Sequence, residues 1–122
     1  MTRCDNEPTS NHQQKQPTWL HERCPGWCVR AHHEHDHPED RYHQSEGSVL
    51  PGVVATRPTI PLTASMERLD MIVWAGRYVG ESDAWLVIEP TERREPRLLV
   101  TIGTAHGLVK QLSEQLAQHD GP

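Results

Sequence analysis

Apolar residues in this chain come in short runs, and the period of those runs changes once, near residue 104. Leu69-Asp70-Met71-Ile72-Val73-Trp74-Ala75, Ala84-Trp85-Leu86-Val87-Ile88 and Arg97-Leu98-Leu99-Val100-Thr101-Ile102 have the length and branched or aromatic content of strands. Gly80-Glu81-Ser82-Asp83 supplies a hairpin connection between the first two, and residues 91–96 form a charged turn before the third. Three consecutive strands with short links predict an antiparallel meander. Upstream, residues 49–62 contain Val53-Val54 and Ile60, but Pro51, Pro58 and Pro61 restrict that stretch to edge or irregular strands. After Thr104 the spacing lengthens. Leu108, Val109, Leu112 and Leu116, with Ala105 and Ala117, form one stripe of an amphipathic helix. Thr104 is its expected N-cap, and Gly107 weakens its first turn. The pattern predicts an α+β fold: a small antiparallel sheet with one C-terminal helix packed on a face.

The remainder of the chain is polar. Residues 1–18 are rich in Gln, Asn, Pro, Thr and Ser and are expected to be a disordered tail. Residues 19–122 then form a single domain, with 19–46 as a metal-ligand region, 49–102 as strands and 104–119 as the helix. Of the 122 residues, 34% are apolar and none is Phe, so the core must be thin. A bound metal is one way for so small a domain to offset that.

The candidate ligands lie in residues 24–43. Cys24 and Cys28 share a loop that Pro25 and Gly26 turn tightly, and His32 follows Cys28 by four residues. His33, His35 and His37 compete with it, and His43 is the last candidate. The first-choice set is Cys24, Cys28, His32 and His43, with His33 as the substitute for His32. The two cysteines fall within the spacing that zinc sites use, and mixed sulfur and nitrogen ligands suit zinc. The span from Cys28 to His32 is far too short for a DNA-reading finger. A redox dithiol would have two intervening residues and an iron–sulfur cluster four cysteines, so neither fits. His35 and His37 read as part of a solvated His/Asp/Glu loop. Trp27 is expected to pack over the metal loop.

Net charge is −5, with 12 Lys+Arg against 17 Asp+Glu. That balance argues against a general nucleic-acid binder, whose affinity comes mainly from neutralised phosphates. No stretch approaches the roughly 20 apolar residues of a membrane span, and the N-terminus has no apolar signal segment. A cytoplasmic protein is expected.

Cys24-Pro25-Gly26-Trp27-Cys28-Val29-Arg30-Ala31-His32 and the later His43-Gln44-Ser45 resemble the Cys-Pro-x-Trp-Cys-x-x-x-His and His-x-Ser signature of small actinobacterial and actinophage proteins classed as a domain of unknown function. The resemblance covers most of residues 20–119. It implies a bound metal, a β-rich middle and a C-terminal helix, and it brings no activity. With the reactive residues absorbed as ligands, the chain is expected to be a non-enzymatic binding or regulatory accessory protein acting on a protein partner. A zinc-dependent hydrolase and a DNA-associated transcriptional regulator are the alternatives.

Overall fold

The computed structural model describes residues 2–3 and 16–120. Residues 1 and 4–15, on which most of the expected disordered tail falls, lie outside the described residues. The architecture is α+β, and its centre is a five-stranded antiparallel sheet. The long strand β7 (Met71–Tyr78) pairs on one side with β8 (Trp85–Pro90), which pairs in turn with β9 (Leu98–Thr101). This is the meander that the apolar runs predict. Its first turn holds Gly80 at φ +86, a left-handed conformation that suits a residue without Cβ.

The other side of β7 is shared by two short strands placed end to end. β3 (Tyr42–Gln44) covers residues 76–78, and β4 (Ser48–Leu50) covers residues 71–73. Ser45 bridges the gap. Its N–H donates to the Ala75 carbonyl, and its hydroxyl accepts from the Ala75 N–H at 2.8 Å. Two peripheral ladders complete the β structure: β1 (Thr2–Arg3) with β2 (Ala31–His32), and β5 (Val53–Ala55) with β6 (Met66–Arg68). β1, β2, β3 and β6 have no counterpart in the sequence reading, because none is a continuous apolar run.

The two faces of the sheet differ. Residues that pair across strands share a face, so Tyr42, Trp74, Tyr78, Trp85 and Val87 lie together. Tyr42 stacks on Trp74, with ring centroids 6.0 Å apart, and Trp85 meets Trp74 edge-on at 5.5 Å. Gly76 makes room for this packing: a Cβ there would lie 2.4 Å from the Trp85 ring. Trp74 donates its indole N–H to Glu89, which also pairs with Arg97.

Helix α1 runs from Ile102 to Asp120 and follows β9 without an intervening residue. Its cap is Thr101 rather than Thr104, since the Thr101 hydroxyl accepts from the Thr104 N–H. The helix touches β8 and β9 near its start, and none of its residues is buried. Ile102, Ala105 and Leu108 are half-buried and every helix residue after Leu108 is exposed, so the expected packing is confined to the first two turns. A helix that leaves a strand with no connecting loop cannot fold back over that strand.

Candidate metal centre

The metal-ligand region forms a knuckle against the β3 end of the sheet. Cys28 N–H closes a turn on the Pro25 carbonyl, as Pro25 and Gly26 suggest, and Val29 N–H donates to the Gln44 carbonyl. Cys28 also bridges Ser45 in antiparallel sense. These bonds fix the cysteine loop to β3, the strand that carries His43. His32 ends β2, four residues beyond Cys28.

The structure brings Cys24, Cys28, His32 and His43 into one cluster, their donor atoms within 4.8 Å of one another. All four are buried, with His32 1% and His43 0% exposed. Leu20 packs with the two cysteines, and Trp19 and Val79 flank them. Trp19 meets His32 edge-on, while Trp27 meets His43 edge-on but stays 41% exposed. Of the three largest fully buried side chains, two are these imidazoles and the third is Val87. The interior of the knuckle is therefore made largely of groups that could ligate a metal, where a larger domain would place aliphatic ones.

The donor set fits a tetrahedral ion. Bonds of ~2.3 Å to sulfur and ~2.05 Å to nitrogen at the tetrahedral angle place the two ligands about 3.6 Å apart. Cys28 Sγ and His32 Nε2 are 3.8 Å apart. His32 Nε2 is the ring nitrogen that faces the Cys28 sulfur, and His32 Nδ1 is buried with no hydrogen-bond partner. Burial, reinforced by the nearby His43 and Arg30, pulls the His32 pKa down to about 4. Burial also lowers His43, against the opposing pull of Glu22. His32 is thus held neutral, the form that binds metal, and His43 is shifted toward that form. Cys24 is disulfide-bonded and Cys28 is a free thiol. A metal needs both as thiolates, so the disulfide and a four-ligand site exclude each other at the Cys24 sulfur.

Glu22 is the residue that sequence reasoning misses. Its carboxylate lies 3.0 Å from His43 Nε2 and 3.1 Å from the Arg77 guanidinium, and it accepts from the Gly80 N–H. Burial raises its pKa, but the hydrogen bonds from Gly80, His43 and Arg77 outweigh burial and leave it lowered. It occupies Nε2 of His43 and leaves Nδ1 for an ion. A carboxylate behind a ligating histidine fixes its tautomer and orientation. Only proximity to Cys24 in sequence could have flagged it.

The competing histidines lie elsewhere. His33, the substitute for His32, is exposed and outside the four; its carbonyl accepts from the Trp19 indole. His35 and His37 are also exposed. Near them Pro38–Asp40 forms a short 3-10 turn, with the His37 ring accepting from the Glu39 N–H.

A small α+β domain with a buried Cys2His2 cluster at one end of its sheet is the class that these features define. The chain belongs to the family described as Domain of unknown function (DUF6907), whose model matches residues 6–119. No curated protein and no solved structure matches it. No helix among the described residues is long and apolar enough to cross a membrane.

Proposed function

We propose that this chain is a zinc-stabilised, non-enzymatic binding or regulatory accessory protein of the cytoplasm of an actinobacterial or actinophage-infected host, acting through protein–protein contacts. The observation that carries the reading is the closure of the cluster. All four candidate ligands are buried, whereas a catalytic zinc keeps one position open to water and substrate. Zinc is favoured because two thiolates and two imidazoles match its usual structural set. The reading requires Cys24 in its reduced form, the state that a reducing cytoplasm maintains. Exposed apolar side chains, including Leu99, Val109, Leu112 and Leu116, supply surface for a protein partner.

The test is elemental analysis of the reduced protein, followed by cobalt substitution. One zinc per chain, and a cobalt spectrum that added anions leave unchanged, are expected. An ion that takes up anions, and so has an exchangeable position, overturns the closed site and favours the hydrolase.

A further inference from the structure

The aromatic face of the sheet carries an open groove. It crosses four strands, in the order β3, β7, β8, β9. Tyr42, Tyr78 and Trp85 are half-buried and Leu99 is 54% exposed, above a floor of buried Trp74 and Val87. The groove has a volume of about 440 Å³, inside the roughly 300–1,000 Å³ range of ligand pockets.

Three polar groups that line it have no partner among the described residues. The Trp85 indole N–H and the Tyr42 hydroxyl make no hydrogen bond there, and neither is a buried atom. The exposed Glu81 carboxylate, on the β7–β8 turn, has no ion pair there. The cations nearby are engaged. Arg97 pairs with Glu89 at 2.7 Å. Arg30 lies 3.9 Å above the Tyr42 ring and donates to Gln44. Arg77 stands on the opposite face and pairs with Glu22. In a neighbouring hollow, which shares Tyr78 and Glu81, Arg41 lies over the Trp19 ring and Glu39 stands beside His37.

Aromatic rings, free donors and one free carboxylate select an occupant. Proline offers an apolar ring and a carbonyl acceptor but no N–H. It packs on such rings, accepts from such donors and brings no donor of its own that the groove would leave unpaired. We propose that this groove binds an extended, proline-containing segment of a partner protein. Trp85 and Tyr42 donate to its carbonyls, and Glu81 holds a Lys or Arg beside the prolines. Aromatic-lined grooves suit polyproline II ligands because these are already extended and lose little entropy on docking. The dimensions agree: three strand spacings of ~4.8 Å separate β3 from β9, about 14 Å, which is the length of four to five polyproline II residues at ~3.1 Å each. Nucleotide bases would also stack on the rings, but their phosphates would meet Glu81 and Glu89.

This inference rests on the reading of the chain as a protein-binding domain and names the chemistry of its partner. The probe is the peptide Arg-Pro-Pro-Pro-Pro-Pro-Arg, titrated into the full-length protein while the indole N–H resonances of its four tryptophans are followed by NMR. The Trp85 resonance should shift saturably, while that of Trp27, which packs on His43, stays in place. Tyr42→Phe should weaken binding about five-fold, the worth of one hydrogen bond. Glu81→Gln should weaken it about two- to five-fold, an effect that added salt removes. Both variants should keep wild-type circular dichroism and metal content. An unmoved Trp85 resonance at millimolar peptide overturns the proposal. So does a stronger, salt-dependent shift with oligouridine, which would make the face a base-stacking platform. The cobalt spectrum is read separately, so a groove that takes no peptide leaves the closed metal site standing.

Discussion

Glu22 and His43, 21 residues apart, meet through a 3.0 Å contact between carboxylate and imidazole Nε2. The same carboxylate holds Arg77 and the Gly80 N–H. It therefore ties the candidate ligand on β3 to the β7–β8 turn. Glu22→Ala should weaken metal retention by about 10–100-fold, the usual cost of losing the group behind a ligating histidine. Glu22→Gln should retain more. Chelator competition at neutral pH gives both values; equal affinity in all three proteins would remove Glu22 from the site.

Replacing a ligand should do far more. Bound zinc contributes roughly 10–16 kcal/mol in finger-like domains, as much as the whole net stability of an ordinary domain. Cys28→Ser, Cys24→Ser and His32→Ala should each lose the metal and the ordered knuckle, visible as broadened amide spectra for residues 19–46. His37→Ala, at an exposed site outside the cluster, should behave as wild type in the same spectra.

Redox state should decide metal uptake. Cys24 is disulfide-bonded, and a disulfide sulfur is not a thiolate ligand. The reduced chain is expected to bind one equivalent of zinc, and the oxidised chain to bind it much more weakly. Titration calorimetry on the two forms measures this; identical isotherms would contradict a role for the Cys24 thiolate.

Acid sensitivity should include a contribution from Glu89. Burial raises its pKa, but the Trp74 indole and Arg97 more than compensate and hold it below its ordinary 4.5. A carboxylate lowered in the folded state stabilises the protein above its unfolded pKa, and that stability is lost as pH falls through the folded value. Glu89→Gln should cost about 1 kcal/mol at neutral pH, since Arg97 is half exposed and solvent screens the pair. The difference from wild type should shrink below pH 4.5. Urea melts across that range test the sign.

Gly76→Val should disturb the aromatic face. Its Cβ would fall 2.4 Å from the Trp85 ring, and forcing the ring aside should cost about 1–3 kcal/mol. Near-ultraviolet circular dichroism should change while zinc stoichiometry stays at its wild-type value.

The sequence displays its periodic elements well. The three apolar runs become β7, β8 and β9 within a few residues, because strands packed on both sides are continuous in hydrophobicity. The helix is equally plain, but its start is not: Thr101 and Thr104 are both capable caps, and the strand preceding decides between them. β3 escapes notice because Tyr42-His43-Gln44 has no apolar run; it is a strand by virtue of pairing with residues 76–78. His32 and His33 are indistinguishable by spacing. Only the ladder direction at Ala31–His32 turns one ring inward and leaves the other in solvent. Glu22 is invisible for a similar reason, since its partners lie 21, 55 and 58 residues away.

The seamless junction at Thr101 has a mechanical side as well. With 19 residues at ~1.5 Å each, α1 is a lever about 28 Å long whose heading is dictated by the last strand. The far end of the helix at Asp120 therefore stands at a distance and heading set by the last strand.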